Sequence, residues 1–382
     1  MSAFSGPEIS TSGLIFCYDM NNTEKSWTGK PTTNLYDFSF YQAEGGHTAT
    51  RTVGDAPGLS TSVVDYHTIT TASSYASEAN RLLIWPATAL SPSTTYRVSF
   101  WARVTSKGST TIQSAFYGNA ANNTHNLTSL WQRFSYSSTT HSAYRALEFG
   151  SSDGAITFQV AGIQWEVGAF ETPYTKTSRS NTQAILDLTN NNTITAQNLS
   201  YASDGTFSFD ATDDYIDTGL DLSWNNTNSA SIDFWCKPST LSQTRGIIGK
   251  GLDWEWQVRQ NGSNLGFVYW DTGGSHGNGP TPEVSSVFQA NVWKNITVVW
   301  SHTANQLYLY ANGVLISTNT WTNASTNVNK SNSVKIGGSI YDWTGGGAYW
   351  SGSISNVKFY NLALSAQEVA QNFQAYRGRY GI

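Results

Sequence analysis

The sequence predicts an all-β protein made of β-sandwiches, with one short helix at the C-terminus. Charged residues make up only 12% of the 382 residues, whereas aromatic residues make up 14%. Asn, Ser, Thr and Gly therefore supply the polar surface that Lys and Glu supply on helices. Stretches in which apolar and polar residues alternate are separated by turn-forming clusters, a pattern typical of antiparallel sandwiches. At this length the chain has room for two domains.

The clearest strand pattern lies in residues 292–317. Leucine and tyrosine alternate over residues 307–311, which predicts a half-buried strand. Asn312-Gly313 follows directly, and this pair favours a tight hairpin because both residues tolerate positive φ. Residues 314–316 begin the return strand. We expect this hairpin to be scaffold, with functional residues in the irregular Gly- and Trp-rich segments around it.

Composition also excludes several classes of function. The net charge is −5 and no basic run is present, so a nucleic-acid partner is not expected. No apolar stretch reaches the roughly 18 residues of a membrane span. The first residues have neither a basic nor an apolar region, so we expect no secretion signal. Cys17 and Cys236 lie in apolar runs, and we expect both to be buried, reduced thiols.

Residues 33–178 form the first block with a sandwich pattern. In YRVSFWARV (96–104), apolar residues occupy one face, and Arg97, Ser99, Trp101 and Arg103 occupy the other. The block closes with AGIQWEVGAFETPYT (161–175). These two motifs resemble carbohydrate-binding modules of the galactose-binding-like jelly-roll type. The resemblance implies a jelly-roll fold and does not specify a ligand.

Residues 179–382 form the second block. Its markers are FDATDDYI (209–216), IDFWCKP (232–238), VKIGG (334–338) and ISNVKFYNLALSAQEV (354–369). In this order they resemble a laminin-G/concanavalin-like jelly-roll domain. The resemblance implies a short helix after the last strand.

The residues themselves support that helix. Ser365 and Glu368 have the spacing of a capping box, and Val369 and Phe373 share one helical face.

GLIFCYDM (13–20) resembles the opening strand of the same laminin-G-like domain. The resemblance implies that residues 33–178 are inserted between residues 1–32 and 179–382, and that Leu14–Tyr18 pairs with Ile354–Phe359. Insertions of whole domains are tolerated at exposed loops. The alternative is an independent N-terminal arm.

Four carboxylates lie within FDATDDYI or directly after it, around Tyr215 and Ile216. They are Asp210, Asp213, Asp214 and Asp217. Ca²⁺ prefers several oxygen ligands, so these residues are one candidate calcium site, and Glu166 is a second. The alternative is a turn whose carboxylates face water. We otherwise expect no cofactor and no metal.

Catalysis is not expected from the sequence. The chain has six histidines, and none lies in a motif with a Ser or Cys nucleophile. Glycosidases need two carboxyl groups about 5–10 Å apart, and Asp253 with Glu255 is the nearest approach. We therefore expect a protein that is not an enzyme, with a glycan-degrading enzyme as the less favoured alternative.

Aromatic residues beside Gly-rich segments are the candidate ligand contacts, because sugars stack on Trp and Tyr rings. Core packing is the alternative for each of them. The candidates for binding a glycan or a partner are Trp254, Trp256, Trp270, Asp271, His276, Tyr341, Trp343, Tyr349 and Trp350.

The ending NLALSAQEVAQNFQAYRGRYGI, together with GLIFCYDM, most resembles structural proteins of tailed phages. The resemblance implies a virion surface protein, as a capsid decoration or a fibre component, assembled in the host cytoplasm. Other virion proteins and cell-surface glycans would be its partners, and it would be a homo-oligomer. Many copies would compensate for weak single sites. A purely structural cement protein without a ligand is the alternative.

Overall fold

The computed structural model describes most of the chain from residue 8 to residue 382. It leaves out residues 21, 23–24, 30–31, 55, 60–64, 73–80, 119–122, 152, 168–170, 202–206, 225–226, 251–254, 271–280, 322–331, 339 and 342–346. The described part contains antiparallel strands and one short α-helix near the C-terminus, which confirms the predicted all-β class. The chain forms two compact units. We call Met1–Lys30 with Ser180–Ile382 the split unit, and Pro31–Arg179 the middle unit.

The first strand belongs to the split unit, and the next twelve belong to the middle unit. They are β1 (Leu14–Asp19), β2 (Thr32–Thr33), β3 (Phe38–Ala43), β4 (Thr48–Thr52), β5 (Tyr66–Thr70), β6 (Leu82–Pro86), β7 (Thr95–Val104), β8 (Ser109–Phe116), β9 (Asn123–Thr128), β10 (Gln132–Thr139), β11 (Leu147–Ser151), β12 (Thr157–Val167) and β13 (Ser178–Arg179).

The remaining elements belong to the split unit. They are β14 (Thr195–Gln197), β15 (Ser200–Tyr201), β16 (Phe207–Asp210), β17 (Tyr215–Asp217), β18 (Ala230–Pro238), β19 (Thr244–Lys250), β20 (Trp256–Asn261), β21 (Asn264–Tyr269), β22 (Glu283–Val284), β23 (Lys294–Ser301), β24 (Gln306–Ala311), β25 (Val314–Thr320), β26 (Val334–Ile336), β27 (Ile340–Tyr341), β28 (Gly347–Ala348), β29 (Ser351–Tyr360), α1 (Ala366–Tyr376) and a 3-10 turn (Arg377–Tyr380).

The split unit is built on two antiparallel sheets. Among the described strands, one sheet has the order β15-β16-β29-β18-β23-β24-β25, and the other has the order β14-β17-β26-β19-β20-β21-β22. A short β27–β28 pair lies outside both. Inward side chains from the two large sheets meet in one hydrophobic core. Indole rings dominate part of it: Trp224 stacks on Trp256 at 4.8 Å, and Trp300 stacks on Trp321 at 4.0 Å between ring centroids.

The first strand of the chain pairs with the last one, as the sequence predicts. β1 runs antiparallel to β29, and Tyr18 lies opposite Val357. β16 pairs with the preceding part of β29, where Phe207 lies opposite Ile354. The strands before and after the middle unit therefore lie end to end along one edge of β29. The independent N-terminal arm is excluded by this pairing.

The predicted hairpin is present between β24 and β25. Ala311 lies opposite Val314, and the two turn residues have φ values of 50° at Asn312 and 75° at Gly313. A Cβ at residue 313 would also lie 3.1 Å from the Phe373 ring on α1, so glycine serves both the turn and the packing.

The C-terminal helix begins as the capping box predicts. Ser365 Oγ accepts the Glu368 amide, and the Glu368 carboxylate accepts the Ser365 amide. The helix covers the outer face of the β29–β18–β23 sheet, because Phe373 stacks on Trp235 with ring centroids 5.7 Å apart. In the described parts of the chain, no helix has the length and apolar character that a membrane span requires.

A buried ion pair lies on the outer face of that sheet. Lys358 Nζ is 2.6 Å from Asp233 Oδ1, and both side chains are fully buried. Asn295 Nδ2 and Thr297 Oγ1 donate to the second carboxylate oxygen at 3.1 and 2.7 Å. Burial alone would lower the pKa of Lys358, but the Asp233 carboxylate, together with Tyr360 and Cys17, outweighs burial and holds that pKa above its usual value. The Tyr376 ring covers the ammonium group at 4.6 Å.

Both cysteines are free and buried, as predicted. Burial raises the pKa of Cys17 to about 12, and it raises the pKa of Cys236 as well. Both thiols therefore stay protonated and unreactive at neutral pH.

The middle unit has two five-stranded sheets among its described strands, with the orders β10-β7-β12-β5-β4 and β3-β6-β11-β8-β9. Their inward side chains share one core. The predicted alternation in β7 is confirmed on its inner face, because Val98, Phe100 and Ala102 are buried there. β2 pairs with β13, so the first and last strands of the middle unit are neighbours.

Replacing Lys358 with Met should destabilise the split unit by about 3–5 kcal/mol, because it leaves the Asp233 carboxylate buried without its counter-ion. Urea unfolding followed by tryptophan fluorescence measures the change. Lys335→Met is the matched control, since Lys335 pairs with Asp217 near the surface and should contribute only ~0–1 kcal/mol. Equal losses in the two variants would contradict the dominant role of the buried pair.

Candidate functional site

Three of the sequence-predicted ligand contacts lie in the core of the split unit. Trp256, Trp270 and Trp350 are almost completely buried. The Trp256 indole donates to Leu222 O at 2.9 Å, and the Trp350 indole donates to Gln260 Oε1 at 2.7 Å. For these three rings the alternative of core packing holds, and none of them can contact a ligand at the surface. Trp256 begins β20, Trp270 directly follows β21 and Trp350 directly precedes β29, and all three rings point into the core although the neighbouring sequence is Gly-rich.

The other six predicted ligand contacts remain predictions. Tyr349 is half-buried, and its ring packs against the backbone at Gly338, where a Cβ would lie 2.2 Å from Tyr349 Cδ1. Tyr341 belongs to β27, but the structure does not describe its side chain. The remaining four lie outside the described residues: Trp254, Asp271, His276 and Trp343.

The predicted carboxylate group comes together only in part. One oxygen from each of Asp210, Asp213 and Asp214 lies within 4.8 Å of the others. Asp217 is not a member, because it pairs with Lys335. Asp214 is buried and accepts the Asp210 amide at 2.8 Å, and burial raises its pKa to about 6. Three carboxylates at one turn suit Ca²⁺, but exposed acidic groups of this kind are common without an ion.

Glu166 has a structural role instead of the calcium role considered for it. Its carboxylate is fully buried and accepts the Thr172 amide at 2.7 Å and the Thr172 hydroxyl at 2.8 Å. Gln164 Nε2 and the Thr32 hydroxyl also donate to it, at 3.0 and 3.2 Å. These bonds tie the segment after β12 to the sheet and leave the carboxylate no solvent-facing side for an ion.

The structure reveals a row of aromatic rings in the middle unit that the sequence did not single out. Phe40 stacks on Trp85 with centroids 6.0 Å apart, and Tyr117 meets the edge of Trp85 at 6.3 Å. Tyr144 lies 4.4 Å from Tyr117, and His141 stacks on Tyr144 at 5.2 Å. Phe40 is 52% exposed and Tyr144 is 43% exposed. We call these five side chains the aromatic row.

Strand pairing builds the row from separate parts of the chain. Phe40 on β3 lies directly opposite Trp85 on β6. Tyr117 follows the end of β8, in the same sheet, and its amide donates to Ala146 O. Gly118, with φ of 88°, lets the other rings approach, since a Cβ there would lie 2.9 Å from His141 Cγ and 3.1 Å from Tyr144 Cδ2. No local periodicity joins these segments.

Charged and amide groups support the row from one side. The Arg81 guanidinium lies over the Tyr117 ring, 4.1 Å from its centroid. It is almost fully buried and donates to Glu44 at 3.1 Å and to Glu148 at 3.2 Å. The exposed Gln42 accepts the Trp85 indole N–H at 3.2 Å. Flat rings next to oriented polar groups are the combination that binds a polar, disc-shaped ligand.

The match to a protein family lies within the split unit. Residues 210–370 match the model of the concanavalin A-like lectin/glucanases superfamily. The split unit therefore contains a concanavalin A-like lectin or laminin G jelly-roll domain. No curated protein matches the chain.

Solved structures with some similarity include clostridial toxin binding domains. A botulinum neurotoxin serotype D ligand-binding domain in complex with N-acetylneuraminic acid is 15% identical, with a TM-score of 0.39, over 51% of this chain and 49% of that one. The binding domain of Paraclostridial Mosquitocidal Protein 1 is 15% identical, with a TM-score of 0.39, over 50% and 49%. The chain thus spans about half the length of these structures.

Replacing Asp214 with Asn should flatten the pH dependence of stability between about pH 4 and pH 6. The folded-state pKa of about 6 exceeds the ordinary 3.8, so the folded state binds more protons in this window. Stability therefore falls as the pH rises through it, and the loss persists above pH 6. Asn keeps an oxygen for the Asp210 amide and removes the charge, so the variant should be more stable than the parent at pH 7.

Urea midpoints at pH 4.5 and pH 7.5 test this expectation, with Asp213→Asn as the control at an exposed neighbour. The control should retain most of the change in urea midpoint between the two pH values. If Asp214→Asn shows the same change as the parent, the pH dependence does not come from a raised pKa of Asp214.

Proposed function

We propose that this protein is a glycan-binding structural protein of a phage virion, in which the aromatic row makes the main contact with the sugar. The single observation that carries the binding role is the continuous set of exposed and half-buried rings from Phe40 to Tyr144 along the sheet that contains β3, β6 and β8. The match of the split unit to a lectin superfamily supports the same class of ligand.

The virion role rests on the resemblance of the first strand and the C-terminal tail to tailed-phage structural proteins. On this proposal the protein is a capsid decoration or a fibre component that is assembled in the host cytoplasm. It would form homo-oligomers and attach to other virion proteins. A single open row of rings binds weakly, and display of many copies would raise the overall affinity for a cell surface.

We also propose that the protein is not an enzyme. Glu255 is fully buried and lies 3.0 Å from Lys250 Nζ, so it is placed as a structural ion pair and not as a glycosidase acid. Burial lowers the pKa of His67 to about 3 and that of His125 to about 4. Both imidazoles are thus neutral and enclosed at pH 7, which does not suit a general base acting on a substrate.

A second candidate function is attachment to another virion protein without any ligand. The edge strand β25 favours it, because Val314 is 64% exposed and Leu315 is 47% exposed. Among the described strands, β25 pairs only with β24. An apolar edge without charged residues can accept a strand from a partner chain.

Replacing Trp85 or Tyr144 with Ala should weaken glycan binding by about tenfold, because each removes a stacking ring at ~1.4 kcal/mol. A glycan array probed with protein displayed at high density finds the ligand, and calorimetry measures the variants. Trp293→Ala is the control, since Trp293 is another half-buried indole that contacts a tyrosine and a cation, and it belongs to the split unit.

The unfolding midpoints of the Trp85 and Tyr144 variants should match the parent. Undiminished glycan binding by both variants would place the site elsewhere. Absence of any glycan binding at high density would favour the purely structural role.

A further inference from the structure

The outward face of β7 carries charges that the aromatic row does not use. Arg97, Trp101 and Arg103 point away from the core on alternate residues, and all three are half-buried. β10 lies beside this strand and places Arg133 opposite Trp101. Trp131 precedes β10 on the same side. We call these five residues the arginine face.

Neutral groups hold the two outer arginines of this face. Arg97 donates to the hydroxyls of Ser135 and Ser137 at 2.8 and 3.3 Å. Arg103 Nε donates to Gln159 Oε1 at 2.9 Å. Neither guanidinium forms an ion pair with any described carboxylate. Their positions are thus fixed while their charges stay uncompensated.

Indole rings fix the orientation of the guanidinium groups. Arg103 lies over Trp131 and Arg133 lies over Trp101, each with Cζ 4.7 Å from the ring centroid. A guanidinium that is stacked flat on a ring keeps its edge N–H groups free for a carboxylate in the same plane.

Two acids near the face are engaged with groups other than Arg97 and Arg103. Glu166 lies opposite Arg97 in the sheet, but it is buried, forms no ion pair with Arg97, and its charge acts on Arg133 and Arg179. Asp65 pairs with Arg51 on the neighbouring strands.

Glu171 is a third acid near the face, and it acts on Arg133 together with Glu166. Burial lowers the pKa of Arg133, and Glu171 and Glu166 partly oppose this effect. Arg133 also donates to Thr172 O at 2.6 Å, which makes it a support for the face. Arg97 and Arg103 therefore remain as the two uncompensated, oriented cations.

We propose that the arginine face binds a carboxylate-bearing polysaccharide, with Arg97 and Arg103 each pairing with one carboxylate of the polymer. The two residues are six positions apart on one strand, which separates them by roughly 20 Å. That distance exceeds a single sugar and fits an extended chain with repeated charges. The inference extends the proposed glycan binding to a second, chemically different surface.

Nucleic acid is the less suitable polyanion. Duplex DNA carries one charge per about 1.7 Å of axis, and its binding requires many cations along one surface. The protein instead offers two uncompensated arginines on this face and a net charge of −5. A polymer with widely spaced carboxylates matches two isolated cations better.

Binding of the full-length protein to immobilised polygalacturonate tests the proposal, with dextran as the neutral polymer. The double variant Arg97→Gln/Arg103→Gln should lose about tenfold in affinity for polygalacturonate at low salt. It should also show a weaker salt dependence than the parent. Arg97→Lys/Arg103→Lys keeps the charges and should retain part of the binding, which separates loss of charge from loss of fold.

Lys107→Gln is the control for loss of a neighbouring cation, because Lys107 is exposed, lies just after β7 outside the face, and pairs with Asp153. It should leave polygalacturonate binding unchanged. Trp85→Ala should also leave it unchanged while it lowers binding of the ligand of the aromatic row, so failure of one site is distinguishable from failure of the other. An equal loss in Lys107→Gln, no binding to polygalacturonate at low salt, or tighter binding of duplex DNA would each overturn the proposal.

Discussion

The pairing of β1 with β29 is the constraint on which the organisation of the chain depends. A strand at residue 14 must find its partner near residue 360, and the chain in between has to leave and return at one place. It does so within a few residues: Thr28 N donates to Ala184 O at 3.0 Å, just before and just after the middle unit. Neighbouring entry and exit points are what allow a whole domain to sit within another domain's sequence.

The same sheet explains why the C-terminal helix matters. Sandwich sheets usually expose polar residues on the outer face, but here Lys358, Asp233 and Asn295 are covered. Once water is excluded, each polar group must find a partner within the protein. The helix capping box therefore has a consequence far from Ser365, because it fixes the start of the element that seals this layer.

Sequence reasoning succeeded where a short local pattern determines the structure, as it does at Asn312-Gly313 and along β7. It failed where the direction of a side chain depends on pairing with distant strands. Trp256 and Trp350 lie near Gly-rich segments, yet the pairing of β20 and β29, which they begin and precede, places both indoles in the core. The aromatic row was missed for the same reason, since its members come from segments that only the folded sheet places together.

The middle unit shows how one sandwich can present two unlike surfaces. Period-two alternation assigns every second residue of a strand to the core, and core packing places no demand on the residues between them. On one sheet those outward positions carry neutral rings, with Arg81 compensated by two carboxylates. On the other sheet, serine and glutamine hold Arg97 and Arg103 without cancelling their charge. The difference between a neutral and an anion-binding face therefore lies in the partners of the arginines, since both faces contain arginine stacked on an aromatic ring.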